Sequence, residues 1–183
     1  TSLCPALDLA DDLNLDTLIL SVDTPTLSGS LGGCRRLQLD LTTSVTHIGA
    51  LTGGERLEEL ILTGSAQSEP LAPGGLADVL HRAPLRRLVL GGRLSGEVVD
   101  LLPHLHHLTE VDSRRHRGLS SIAGLSPRAP LARLDLRGTR LCDLTGIGSR
   151  PSLRVVRLES SRVLADVSAL SGAPQLRLLT LHR

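Results

Sequence analysis

The chain contains no Phe, Tyr, Trp, Met or Lys. Without aromatic rings it has no platforms on which bases could stack, and it lacks the anchors that dominate most protein interfaces. Without Lys, all 20 basic residues are Arg; set against 19 acidic residues they leave a formal net charge of +1. A general excess of positive charge for nucleic acid is therefore absent. The bias toward Arg, Ala, Gly, Pro and Leu fits GC-rich coding DNA as well as it fits function. Cysteine is sparse, and Cys4, Cys34 and Cys142 have no paired spacing. Cys34 and Cys142 read as small buried hydrophobes rather than disulfide partners, which favours an intracellular, cytoplasmic setting. No apolar run is long enough for a membrane span, and the first residues lack a basic-then-apolar signal pattern.

What is abundant is leucine, at 42 of 183 residues, and it is periodic. The stretch RAPLARLDLRGTRL at 128–141 nearly repeats RAPLRRLVLGGRL at 82–94. Both belong to a pattern of an apolar residue, two free positions, a second apolar, one free position and a third. It recurs with first positions at Leu15, Cys34, Leu57, Leu85, Leu108, Leu131, Leu153 and Leu176, at steps of 19, 23, 28, 23, 23, 22 and 23 residues. The second and third apolar positions are two apart, so each unit predicts a short strand with one dry face. Further apolar residues such as Leu141, Leu144, Ile147, Val163, Val167 and Leu170 follow at spacings of three or four, suited to an irregular turn or a turn or two of helix. Ala83-Pro84, Ala129-Pro130, Arg150-Pro151 and Ala173-Pro174 then end the return and restart extended chain.

These eight units resemble leucine-rich repeats, most closely in Leu131-Ala-Arg-Leu-Asp-Leu-Arg-Gly-Thr139-Arg-Leu141. The period is similar to that of the short repeat class that includes phosphatase-regulatory and internalin-like proteins. The resemblance implies an α/β fold: a right-handed solenoid with short parallel strands on the concave side and irregular or short helical segments on the convex side. Residues 1–183 are expected to form a single solenoid, and 64–75, containing AQSEPLAPGG, an inserted surface loop with or without a contact role. The lack of an initial Met, and of a polar closing helix after Leu181, lead us to expect a segment of a longer protein. The family's buried Asn is replaced by Thr42, Ser65, Arg93, His116, Thr139 and Ser161. A hydroxyl can substitute weakly in that slot, whereas Arg93 and His116 predict local irregularity.

Function is expected on the concave face. The residue before each second apolar position reads Thr17, Arg36, Glu59, Arg87, Glu110, Arg133, Val155 and Leu178, alternating in sign from Arg36 to Arg133. A self-neutralising row that specifies strand stacking is favoured over a dedicated ligand comb. The next row reads Ile19, Gln38, Ile61, Val89, Asp112, Asp135, Arg157 and Thr180, and its apolar first half is a candidate patch. Asp112, Arg114, Arg133, Asp135, Arg137, Arg157 and Glu159 make a mixed-charge field over units five to seven, the predicted place for a protein partner or else a solvated face.

Arg114, Arg115 and Arg117 form the one basic cluster that could touch phosphate, though nucleic-acid binding is not the favoured reading. His104, His106, His107 and His116 have no recognised ligand spacing and read as a surface cluster, so no metal or cofactor is expected. No phosphate-cradling glycine motif, nucleophile elbow or metalloprotease helix occurs, and no catalysis is expected. The favoured function is a non-catalytic protein-interaction scaffold within a larger assembly. A regulatory subunit of an enzyme such as a protein phosphatase and a structural component of a ribonucleoprotein are the alternatives.

Overall fold

A computed structural model of the chain describes residues 6–9, 15–22, 26–41, 47–64, 74–92, 101–113, 116, 119–159 and 166–181. Each predicted strand forms, and all join one parallel sheet of eight strands. In chain order these are β2 (Thr17–Val22), β4 (Arg36–Leu41), β6 (Glu59–Gly64), β7 (Arg87–Gly92), β8 (Glu110–Asp112), β9 (Arg133–Asp135), β10 (Val155–Arg157) and β11 (Leu178–Thr180). Pairing runs residue for residue at the repeat offset, as in Leu37↔Leu60, Leu60↔Leu88 and Leu134↔Val156. The second and third apolar positions stack into continuous columns: Leu37, Leu60, Leu88, Val111, Leu134 and Val156 are all buried. Stacking is obligatory for such a unit, because no single coil can cover its own leucines.

The returns differ along the chain. In the first coils they are strands rather than the irregular or helical segments expected: β1 (Ala6–Leu9), β3 (Thr26–Ser30) and β5 (His47–Thr52) form a second parallel sheet of three strands. Segments such as Thr-Leu-Ser-Gly-Ser carry too little helix propensity to coil, and an extended return brings Leu27 and Leu51 into the core. The next return, in the 28-residue unit, is helix α1 (Gly74–Arg82), packed against β5 and burying Leu76, Val79 and Leu80. A helix advances about 1.5 Å per residue against about 3.3 Å for a strand, so only the unit with extra residues has chain enough to cross the molecule this way. Gly54, at φ +83, lets the helix approach, since a Cβ there would lie 2.6 Å from Val79 Cγ1. The predicted loop within 64–75 lies outside the described residues, apart from Gly64 in β6 and Gly74 and Gly75, which open α1.

The last four returns are tight turns closed by backbone bonds three residues apart: Leu105 N–H to Leu102 O, Leu125 to Ile122, Ile147 to Leu144 and Leu170 to Val167, at 2.9–3.3 Å. Residues i and i+3 eclipse in such turns, so the spacing of three seen in the sequence sends both apolar side chains inward. The last three of these turns start on side-chain caps one repeat apart. Ser121 Oγ accepts the N–H of Ala123, Asp143 Oδ1 that of Thr145, and Asp166 Oδ1 that of Ser168. The Thr145 hydroxyl and then its N–H hold the Asp143 carboxyl below the usual aspartate range, and the Ser168 N–H and then its hydroxyl do the same for Asp166. Over the same coils the main strands shorten from six residues in β7 to three in β8 through β11.

Candidate functional site

The outward face of the main sheet carries the charged rows. Glu59 sits between Arg36 and Arg87, hydrogen-bonded through one oxygen to Arg36 Nε and through the other to Arg87 Nη1 at 2.7 Å. Glu110 stands between Arg87 and Arg133 at 3.7 and 3.4 Å, ion-pair distances without a hydrogen bond to either Nε. The alternation from Arg36 to Arg133 is thus a physical ladder, one rung per strand, as the favoured reading of the row required.

The seven residues predicted for partner binding converge in part. Asp135 is enclosed, its carboxylate taking a two-pronged bond from Arg137 at 2.8 and 3.0 Å and an ion pair from Arg157 at 3.6 Å. Arg137 also reaches Glu159 at 4.0 Å. Asp112 pairs in register with Asp135 and is buried, and Arg133 stands beside Glu110 in the neighbouring row. Arg114 lies outside the described residues, as do Arg115 and Arg117 of the basic cluster. The two aspartates are too deep to meet a partner and serve as the floor that holds the arginines. Of the apolar patch, Ile19 is exposed, while Ile61 and Val89 are half-buried among their charged neighbours.

Several features differ from expectation or escaped it. Thr139, which follows its strand at the position expected to hold a small buried polar group, is buried and donates its hydroxyl to Leu136 O at 2.8 Å. His116 is not on the surface but fully buried, within the coil where Ser113 replaces the usual leucine and β8 is short. The other histidines regroup: the ring of His81, on α1, packs edge-to-face with those of His104 and His106, at centroid distances of 5.7 and 6.1 Å. His81 and His104 are one period apart, the signal that would have joined them. Among the described residues, no group of three or more His, Cys, Asp or Glu side chains is placed to hold a metal ion. Cys34 is buried, and burial pushes its thiol up. Cys142 is exposed instead of buried, because it follows Leu141 on the opposite side of the chain.

Arg150, which the sequence marks only by the proline that follows it, is buried and plugs the seam between two coils. Its guanidinium donates to Leu125 O at 2.7 Å, Ser126 O at 2.9 Å and Ala129 O at 3.3 Å. The corresponding residues before proline, Ala83, Ala129 and Ala173, are buried without such bonds to make. Burial lowers the affinity of Arg150 for its proton, and the three carbonyls hold the charge in place. No protein-family model and no curated protein matches this sequence.

Among the described residues no helix is long and apolar enough to cross a membrane. What the outward face offers among the described residues is a surface of guanidinium groups fixed by carboxylates. Such a surface can recognise and hold.

Proposed function

We propose that the chain is a right-handed leucine-rich-repeat solenoid of the α/β class that acts as an intracellular, non-catalytic scaffold. It binds a protein partner on the outward face of the main sheet, as a segment or subunit of a larger assembly. The observation that carries this reading is the uninterrupted parallel sheet, which displays one side chain per coil in straight rows and orders the charges of Arg133, Asp135, Arg137, Arg157 and Glu159 through mutual pairing. Side chains already held in place lose little entropy on docking, so even a face without aromatics can bind.

The test is purification from the native source, with and without nuclease, followed by mass spectrometry and by reconstitution of the recovered protein partner with the Arg133→Glu/Arg157→Glu variant. Nuclease-resistant recovery and at least a tenfold weaker reconstituted complex are expected, about 1.4 kcal/mol or more. Undiminished binding by the variant would remove this face from consideration, and a complex lost on nuclease treatment would move the reading to a ribonucleoprotein.

A further inference from the structure

Along the outward face most arginines stand higher than the carboxylates that they pair with. The Glu59 side chain is 11% exposed while its partners Arg36 and Arg87 are 51% and 40% exposed. Asp135 is 1% exposed under Arg137 at 31% and Arg157 at 30%. Glu110, at 30%, also lies lower than Arg87 at 40% and Arg133 at 38%, although Glu159 at 38% stands level with the arginines at the far end. Along the row from Arg36 to Arg133 the guanidinium groups are thus the tips, and a docking group meets positive charge first. Arg36 and Arg133 engage their acids through Nε, and among the described residues their terminal nitrogens make no other bond, which leaves them free to take a second carboxylate as a fork.

The tips are also regularly spaced. Arg36, Arg87 and Arg133 stand on β4, β7 and β9, every second strand of the sheet. With strands about 4.8 Å apart, successive tips are about 9.6 Å apart. A polyproline II chain rises about 3.1 Å per residue with three residues per turn, so every third side chain points the same way at about 9.3 Å. An extended strand returns to one face at about 6.6 or 13.2 Å and misses the spacing. A helix returns after two turns at about 10.5 Å and drifts out of step three times as fast.

Building on the reading that this face binds the partner, we propose that it takes an acidic segment in polyproline II conformation, with a carboxylate at every third residue, lying across the strands along the Arg36–Arg87–Arg133 row. The recognised chemistry is a protein carboxylate at intervals, not the denser charge of a nucleic acid.

The test uses fluorescence anisotropy with a labelled peptide of Glu-Pro-Pro repeats, a composition-matched peptide with its glutamates in one block, and a DNA duplex. The regularly spaced peptide should bind saturably and in preference to both controls. Arg133→Gln should weaken it about tenfold. Glu110→Gln, which removes the anion between Arg87 and Arg133, should tighten it several-fold. Rows that serve only to stack strands would give no such opposite responses, and circular dichroism melts of both variants verify folding. Equal affinity for the blocked peptide, tighter binding of DNA, or no saturable binding each overturns the inference. If the peptide fails while a purified protein partner is still lost on Arg133→Glu, the acidic segment is wrong and the binding face stands; if neither responds, both fall.

Discussion

Arg150 shows what one residue can do in a repeat. Its neighbours in register are small alanines, yet here a long cation crosses the seam and satisfies three backbone carbonyls of the preceding coil. Arg150→Ala is expected to destabilise the fold by about 2 kcal/mol, since Leu125 O would lose its donor while Ser126 O and Ala129 O would keep only the backbone N–H groups of Ala129 and Leu131. Urea unfolding should show a lower midpoint at unchanged slope, and Arg150→Lys should recover only part of the loss because an ammonium lacks the planar fork. The sequence displayed the position, as the departure from Ala-Pro, but not the direction of the side chain. The leucine columns were legible because burial follows from period two alone. The charged ladder was legible too, since adjacent strands must place Arg36, Glu59, Arg87, Glu110 and Arg133 side by side. The burial of Asp112, Asp135 and His116 was not, because depth depends on neighbouring coils rather than on type.

At the scale of elements, the returns were the part least open to reading. Gly74-Gly75 looked like loop punctuation, yet they open α1, whose apolar spacing at Leu76, Val79 and Leu80 fits a single helical face. The short return strands have no helical period to betray them, and only stacking on each other makes them strands. The turns of the last coils were visible as spacings of three, and their capping is a repeated device with a pH signature. Because the carboxyls of Asp143 and Asp166 titrate below their unfolded values, their caps stabilise the fold above the ordinary aspartate range. That contribution is lost as pH falls through the lowered range. Thermal melts from neutral pH downward should show this acid-side decline, and Asp143→Asn/Asp166→Asn should flatten it, as an amide oxygen accepts the same bonds at every pH. Gly148 marks the closest approach between returns, where a Cβ would lie 1.6 Å from Ala169 O. Gly148→Ala should therefore cost about 2 kcal/mol or more by forcing the last two turns apart, measurable as a lower unfolding midpoint.

Across the whole molecule, stability should follow position in the stack. Leu60, Leu88 and Leu134 have a coil on each side and are fully buried, whereas Leu178, Leu179 and Leu181 of the last coil are exposed. Hydrogen exchange should accordingly be slowest in β4, β6 and β7 and fastest, among the main-sheet strands, in β11. The succession of strand, helix and tight turn on the return side also governs the path of the stack. Where sheets lie on both sides, coils advance by about 4.8 Å on each, and the axis runs straight. Helix α1, about 10 Å across, demands more room than one coil provides. That demand falls on the return side alone, because the main sheet pairs without a break from β4 through β9, so the arginine row from Arg36 to Arg133 keeps its strand-by-strand spacing past the helix.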